Sequence, residues 1–236
     1  MSVADEILRL QQAKSDLATS IENKGVTVPA ATTLDGYAAL VDQIQTGSTL
    51  PYDAEVEYLQ SSGTQYINTG IRSSNNVFIK LYVYDYFNSS HLGFWVFGGR
   101  NGYNNKQIGL FINTNTSNVI FPYNTSQVVL NSYSSYQTSC WIQIGGGTLK
   151  IGSTTHSYTQ AFFSGDYNIY LFGLNNAGSA VLSLQKIGKV YISSGFTTLD
   201  LIPVRVGQVG YMYDKISGQL FGNSGTGSFI LGSDKN

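Results

Sequence analysis

The stretch Val77-Phe78-Ile79-Lys80-Leu81-Tyr82-Val83-Tyr84 alternates aliphatic residues with aromatic residues and one lysine. Successive side chains of a β-strand point to opposite faces, so this alternation predicts a strand with one buried and one exposed face. Short runs rich in Val, Ile, Tyr and Phe recur between Gly, Asn and Ser clusters from Glu55 to the end of the chain. About 180 residues of this kind predict a two-sheet sandwich or jelly roll. The predicted strands are 55–60, 65–71, 77–84, 92–98, 107–113, 118–122, 127–131, 140–144, 147–151, 167–174, 181–192, 199–206, 209–213, 219–222 and 229–231.

The composition sets limits on the class of protein. Of the 236 residues, 42% are hydrophobic, which is enough to bury a core and excludes a disordered chain. The charged fraction is 11%, against about 25% in a typical soluble domain, so uncharged polar groups must keep the surface soluble. The net charge of −1 argues against a nucleic-acid-binding surface. The sequence has no basic segment followed by an apolar run and no apolar stretch of about 18 residues, so neither a signal peptide nor membrane insertion is expected.

The charges are divided unevenly along the chain. Residues 1–57 hold nine acids and three bases and net −6, whereas residues 58–236 hold five acids and ten bases and net +5. No glutamate follows Glu57, and fifteen of the 17 tyrosines do. Such an asymmetry predicts two parts with different roles.

The first part is predicted to be helical. Ser2 and Asp5 fit a helix N-terminus with a capping box, and Lys24-Gly25 fits a C-terminus, so a helix is expected over 3–24. A second helix is predicted at 33–45, with Thr33 as its cap. The first helix carries an apolar seam with one polar interruption, and a solitary helix of this length is marginal in water, so its seam must pack on its own domain, a second copy or a larger partner. The seam residues are Val3, Ile7, Leu10, Lys14, Leu17 and Ile21.

Three parts of the sequence resemble known proteins. Val56-Glu57-Tyr58-Leu59-Gln60-Ser61-Ser62-Gly63-Thr64-Gln65-Tyr66-Ile67-Asn68-Thr69-Gly70-Ile71 resembles the opening strand pair of concanavalin A-like (laminin-G-like) jelly rolls in phages and gut bacteria. The closing segments 201–205, 210–214 and 217–223 resemble the same group. The N-terminal segments 13–14, 21–29 and 34–37 resemble a module at the start of phage fibre and tail proteins, including head-fibre proteins. The middle of the chain, 72–195, carries no such resemblance.

The resemblance implies a mainly β fold, a concanavalin A-like two-sheet jelly-roll sandwich preceded by a short helical N-terminal module. The expected parts are a helical anchoring and oligomerisation module at 1–46, a linker at 47–54 and the jelly roll at 55–236. The implied function is that of a structural virion protein of a tailed phage, a fibre or decoration protein on head or tail. It would be attached to capsid or tail proteins by its N-terminal helices and would form a homo-oligomer, with a trimer expected. The jelly roll would adhere weakly to host-surface glycans.

Two alternatives remain open, a bacterial cell-surface glycan-binding module and a polysaccharide hydrolase. Glycosidases of this fold resemble one another in a Glu-x-Asp-x-Glu strand, and their chemistry needs a pair of carboxyl groups at one bond. Asp85, Asp166, Asp200, Asp214 and Asp234 are the acids after Glu57, and no two of them are spaced i, i+2. The sequence therefore predicts no catalysis.

No cofactor or metal site is expected either. His91 and His156 lie in predicted loops without a Gly-x-Ser-x-Gly motif, and two distant histidines make a poor zinc site. Cys140 is the single cysteine, so no internal disulfide can form. The scattered acids leave calcium binding undecided.

Glycan binding is the interaction that the composition favours. Sugar sites combine exposed aromatic rings with Asn and Gln side chains, and the segments 82–88, 101–105 and 133–136 have that mixture. The alternative is that these tyrosines are half-buried strand residues with a solvated hydroxyl group. The candidate glycan-binding residues are Tyr84, Tyr86, Tyr103, Asn104 and Tyr136.

Overall fold

The computed structural model of the chain describes residues 2–44, 50–84, 93–131 and 139–235. The protein divides into two compact units, Met1–Leu50 and Pro51–Asn236. The first unit is helical and the second consists of β-strands. Neither helix in the described residues is long and apolar enough to cross a membrane.

Helix α1 spans Val3–Glu22 and begins with the predicted capping box. Ser2 Oγ accepts a hydrogen bond from the Asp5 N–H at 3.2 Å, and Asp5 Oδ2 accepts one from the Ser2 N–H at 2.8 Å. The bond from the Ser2 backbone also lowers the pKa of Asp5. The helix ends at Glu22, two residues before the predicted end at position 24. Gly25 follows in the left-handed region, with a φ of +84°, as is typical after a helix C-terminus.

Most of the predicted seam of α1 is uncovered. The side chain of Val3 is 79% exposed and that of Leu10 is 47% exposed. Ile21 is buried, and the Lys14 carbonyl accepts a hydrogen bond from Tyr37 Oη at 3.5 Å. The described residues therefore bury Ile21, partly cover Lys14 and leave Val3, Ile7, Leu10 and Leu17 exposed.

Helix α2 spans Gly36–Val41 and is shorter than the predicted 33–45. Before it, the Gly36 N–H bonds to the carbonyl of Thr33, a residue three positions earlier, and at its end the Ile44 N–H bonds in the same way to Val41. Bonds of this i, i+3 spacing form turns, so the α-helical pattern does not extend into the flanking residues. Thr33 is not the cap, because the N-cap position is held by Asp35, whose side chain makes no capping bond.

The second unit contains short strands throughout. In chain order they are β1 (Ala54–Glu55), β2 (Leu59–Gln60), β3 (Ile67–Ser74), β4 (Phe78–Tyr84), β5 (Phe94–Arg100), β6 (Gln107–Asn113), β7 (Asn118–Asn124), β8 (Ser126–Leu130), β9 (Cys140–Gly145), β10 (Thr148–Ile151), β11 (Thr154–Ser157), β12 (Ser164–Leu171), β13 (Gly173–Asn176), β14 (Ser179–Leu182), β15 (Lys186–Ser193), β16 (Thr198–Val206), β17 (Val209–Asp214), β18 (Leu220–Phe221) and β19 (Ile230–Leu231).

These strands form two sheets, and the predicted fold class, a two-sheet jelly-roll sandwich behind a short helical segment, is confirmed. The first sheet has the order β11-β10-β9-β4-β15-β16-β17-β18, with β1 beside β16 and β2 between β15 and β19. The second sheet has the order β14-β13-β5-β6-β7-β8, and β12 pairs with β3 and β5. Within the described residues the pairs are antiparallel, except for β13 with β5.

The alternating stretch of β4 shows how the core is filled. Ile79, Leu81 and Val83 are fully buried, whereas Phe78, Lys80, Tyr82 and Tyr84 lie on the other face of the first sheet. The aliphatic face joins one continuous core with inward residues of the second sheet, among them Phe97, Leu110 and Phe121. The core is therefore the layer between the two sheets, as expected for a sandwich.

Three strand predictions need correction. The predicted strand 167–174 is interrupted at Phe172, whose φ of +63° separates β12 from β13. The predicted strand 181–192 is likewise two strands, β14 and β15. Strand β11 is absent from the predicted strands because its residues are polar and do not alternate with apolar ones.

The turn between β17 and β18 is organised by a buried carboxylate. Asp214 is fully buried, and its carboxylate accepts bonds from the Asp200 N–H at 2.8 Å, the Ser217 N–H at 3.0 Å, the Ser217 hydroxyl at 2.6 Å and the Ile216 N–H at 3.3 Å. Burial acts to raise the pKa of Asp214, but these hydrogen bonds outweigh it and hold the pKa below the usual value of 3.8. The turn then closes at Gly218, which has a φ of +75°.

The two ends of the β-unit lie side by side. Val56 pairs with Asp234, and the Lys235 N–H bonds to the Glu55 carbonyl at 2.8 Å. The Asp234 carboxylate receives two bonds from the Arg205 guanidinium, at 2.8 and 2.7 Å. The two ends of the unit are thus fastened to each other and to β16.

Candidate glycan-binding cleft

The outer face of the second sheet carries a row of apolar side chains across four strands. Trp95 on β5 pairs with Phe111 on β6, which pairs with Ile120 on β7 and then with Val129 on β8. A register shift between Trp95 and Phe97 places Phe97 in the core while Trp95 stays outside. Trp95 thus lies on the outer face because it alternates with the buried Phe94 and Val96, and the bulge turns Phe97 into the core instead of beside it.

Two paired glycines lie beside this row. Gly98 pairs with Gly109, so two neighbouring strands lack side chains at the same level of the sheet. The Trp95 ring lies against Gly109, where an added Cβ would stand 3.0 Å from a ring carbon. The indole can lie close to the sheet only because position 109 has no side chain.

Trp95 and Phe111 line a cleft of about 350 Å³, which we call the aromatic cleft. This volume lies within the range of small-ligand sites, about 300–1,000 Å³. The lining combines aromatic rings, one cation and two amides, a mixture suited to sugars. The lining residues are Trp95, Arg100, Tyr103, Gln107, Phe111, Ile120, Pro122 and Gln127.

Arg100 lies over two rings of the cleft. Its Cζ is 5.6 Å from the centre of the Trp95 ring and 5.7 Å from that of Tyr103, both within cation–π range. Its Nε donates a hydrogen bond to Asn176 Oδ1 at 2.9 Å. Burial lowers the pKa of Arg100, and Tyr103 acts in the opposite direction. An arginine side chain stays charged in proteins, so the cleft holds a positioned cation.

Gln107 forms the polar wall of the cleft and is only 1% exposed. Its Nε2 donates to Asn104 Oδ1 at 3.2 Å and to the Ser126 carbonyl at 3.3 Å. Its Oε1 is buried and has no hydrogen-bond partner among the described residues. An unpaired buried acceptor is costly, and the Gln107 side chain would have to move for this oxygen to accept a bond from a ligand hydroxyl.

The structure brings two of the predicted glycan-binding residues to this cleft and separates the others. Tyr103 lines the cleft with its side chain 71% exposed, and Asn104 holds Gln107 in place. Tyr84 lies in the first sheet, on a different face of the sandwich. Tyr86 and Tyr136 lie outside the described residues.

Sequence reasoning missed the residues that form the walls of the cleft. These residues are far apart in the sequence, and their proximity could be predicted only if the register of four strands were known. An aromatic residue close to a glycine on each of two adjacent strands, as in Trp95 with Gly98 and Phe111 with Gly109, could have indicated rings lying close to the sheet. The missed residues are Trp95, Arg100, Gln107, Phe111 and Gln127.

Tyr84 belongs to a second group of aromatic residues, on the outer face of the first sheet. Its ring centre lies 4.9 Å from that of Tyr82 and 5.1 Å from that of Tyr58, and Tyr82 in turn lies 5.3 Å from Trp141. Lys80 Nζ is 4.7 Å from the centre of the Trp141 ring. Burial raises the pKa of Tyr84, with further contributions from its neighbours. These contacts join four aromatic rings and one cation on the outer face of the first sheet.

The described aspartates of the β-unit are engaged in structural contacts. Asp214 organises its turn, and Asp200 forms an ion pair with Lys215 at 2.7 Å. Asp166 accepts a hydrogen bond from Asn101 Nδ2. No group of three His, Cys, Asp or Glu side chains with metal-binding spacing occurs in the part of the chain that the structure describes.

The sequence matches no family model and none of the curated proteins. The fold is similar to that of the mouse laminin α1 chain, domains LG4-5, with a TM-score of 0.41 and 10% identity. It is also similar to full-length tailspike protein 2 of the Escherichia coli O157:H7 bacteriophage CAB120, with a TM-score of 0.36 and 12% identity. These matches cover 79% and 62% of this chain, but 48% of the laminin structure and 26% of the tailspike.

Proposed function

We propose that this chain is a structural protein of a tailed-phage virion that adheres to host-surface glycans through the aromatic cleft. The observation that carries the binding role is the cleft itself, in which Trp95, Arg100 and Gln107 converge. The virion role rests on the sequence resemblance of the N-terminal segments to phage fibre and tail proteins. No catalytic step is part of the proposal.

The chemistry of the cleft suits a sugar ring. The C–H face of a pyranose is apolar and packs on aromatic rings, while its hydroxyl groups need donors and acceptors at the rim. Trp95 and Tyr103 supply the rings, and Gln107 and Gln127 supply the amides. A single small site of this kind would bind with modest affinity, which becomes useful when several copies act together.

The exposed seam of α1 supports attachment and self-association. Apolar side chains that repeat at a/d spacing form the contact surface of coiled coils, and a polar residue within such a seam selects register and number of chains. Val3, Ile7, Leu10 and Leu17 are exposed, so a second surface is needed to cover them. Further copies of α1, with a trimer expected, would provide that surface, and the virion would hold the assembled helices.

Leu10→Asp is expected to convert the full-length oligomer to a monomer, because it places a charge at the centre of the proposed contact. Light scattering of the full chain after size exclusion measures the mass directly. Thr19→Asp is the matched control, since it adds the same charge on the opposite, exposed side of α1. A wild-type chain that is already monomeric and does not bind phage particles would contradict the anchoring role.

Trp95→Ala is expected to weaken glycan binding by about tenfold or more, because it removes the main stacking surface. The measurement is binding of the full chain to an array of bacterial capsular and lipopolysaccharide glycans. Trp141→Ala is the matched control, since Trp141 is the other tryptophan and lies on the first sheet. Equal losses in both variants, or no binding by the wild type, would count against the cleft as the binding site.

A further inference from the structure

We propose that the aromatic cleft selects an acidic sugar, whose carboxylate pairs with the Arg100 guanidinium. The inference rests on the proposed glycan-binding role and adds the chemical class of the ligand. It assigns Arg100 as the residue that determines specificity, while Trp95 and Tyr103 hold the sugar ring.

The guanidinium of Arg100 is already positioned for a ligand. Trp95 and Tyr103 contact it through their rings, and Asn176 accepts the bond from its Nε. These contacts already restrict the rotamers of the Arg100 side chain in the free protein. Binding of a ligand therefore costs less side-chain conformational entropy than it would at an unrestrained arginine.

The charge of Arg100 lacks a counter-ion in the described part of the chain. No described carboxylate lies within 4.0 Å of the guanidinium, and no described residue accepts a hydrogen bond from its Nη1 or Nη2. The Asp166 carboxylate is bound instead by Asn101, the residue that follows Arg100. A partly buried cation with two open terminal nitrogens therefore faces a cavity of ligand size.

A carboxylate fits this arrangement better than a neutral hydroxyl group. The planar guanidinium forms two parallel hydrogen bonds with a planar carboxylate, and such charge-assisted pairs are stronger than neutral ones. Removal of the cation from bulk water strengthens the pairing, because the local dielectric is lower than that of solvent. Sugars that carry a ring carboxylate, such as uronic and sialic acids, combine this anion with the apolar C–H face that the rings require.

The test uses the full chain with Trp141→Phe, in which Trp95 is the sole tryptophan and its fluorescence reports on the cleft. Two ligands are titrated, a glucuronate-containing oligosaccharide and the same oligosaccharide after reduction of its carboxyl groups to alcohols. The acidic ligand is expected to bind about tenfold more tightly at low ionic strength, and salt should reduce the difference.

Arg100→Gln is expected to remove that preference and to leave the affinity for the reduced ligand within about threefold of the wild type. Arg100→Lys retains the positive charge but lacks the planar guanidinium that forms two parallel hydrogen bonds with a carboxylate. This variant should therefore retain part of the preference for the acidic ligand. Arg72→Gln is the matched control, because it removes one positive charge from a different site on the same unit. Urea unfolding midpoints of all variants separate a binding defect from a folding defect.

The outcomes distinguish this inference from the proposed function. Equal affinity for the two ligands, with no change in Arg100→Gln, overturns the acidic-sugar specificity but leaves the cleft as a glycan site. A preference for the acidic ligand that survives Arg100→Gln overturns the role of Arg100. Absence of binding to both ligands and to the glycan array overturns the specificity and the proposed function together.

Discussion

Asp214→Ala is expected to lower the free energy of unfolding of the β-unit by about 3 kcal/mol. The substitution removes a fully buried acceptor and leaves the N–H groups of Asp200 and Ser217 without their partner. An unpaired buried polar group costs about 1–3 kcal/mol, and the loss of bonds from two part-buried donors together sets the expected magnitude. Equilibrium unfolding of the full chain in urea, followed by the near-ultraviolet circular dichroism of the two tryptophans, measures the loss.

Asp200→Asn is the control for this measurement. It removes the Asp200–Lys215 ion pair, which is substantially exposed, and leaves the Asp200 backbone donor in place. Exposed ion pairs contribute about 0–1 kcal/mol, so this variant should lose far less stability. An Asp214→Ala variant as stable as Asp200→Asn would show that the carboxylate does not hold the turn.

The same carboxylate predicts a dependence of stability on pH. Its folded-state pKa lies below the usual value of 3.8, so its contribution is present above that value and is lost as the pH falls through the folded-state pKa. Wild-type stability should therefore decline in the acid range below the usual value. Subtraction of an Asp214→Asn titration should reveal this decline, and identical acid profiles for the two proteins would contradict the assignment.

Gly109→Ala has the second large expected effect, on the shape of the aromatic cleft. The new Cβ would lie 2.9 Å from the Phe97 carbonyl oxygen and 3.0 Å from the Trp95 ring. The backbone contact cannot yield easily, so we expect a loss of about 1–3 kcal/mol in unfolding free energy. The indole must also move off the sheet, so glycan affinity should fall by about tenfold.

Trp95 fluorescence in the Trp141→Phe background measures the ring movement, and the glycan titration measures the loss of affinity. Gly222→Ala is the matched control, because its added Cβ meets only ring carbons of Tyr211, at 3.3 and 3.5 Å. Its effect on the cleft should be absent. Unchanged fluorescence and affinity in Gly109→Ala would show that the indole position does not depend on the bare glycine.

Strand β4 was predictable because its two faces differ sharply. The aliphatic residues Ile79, Leu81 and Val83 could be buried only on one side, and the register of β4 follows from that requirement. The polar strand β11 lacks such a contrast, and its pairing with β10 depends on a neighbour rather than on its own residues. A strand of that kind is visible only once the sheet is assembled.

Most residues of the aromatic cleft were likewise not predictable, because strand pairing brings them together. Tyr103 and Asn104 could be predicted as glycan-binding residues because an aromatic residue and amide residues are adjacent in the sequence there. Trp95 and Phe111 stand opposite each other only through strand pairing, and the bulge after Trp95 cannot be inferred from an alternating pattern that it interrupts. The seam of α1 was predictable from spacing alone, but its exposure depends on what the rest of its unit covers.

The pairing of Val56 with Asp234 brings the entry and exit of the β-unit to one point. A unit whose two ends adjoin can be placed within a loop of another polypeptide with little distortion of either partner. Residues 53–235 could therefore be transplanted as a cassette into a surface loop of an unrelated carrier protein. The transferred unit would include the aromatic cleft, since all of the lining residues lie between residues 53 and 235.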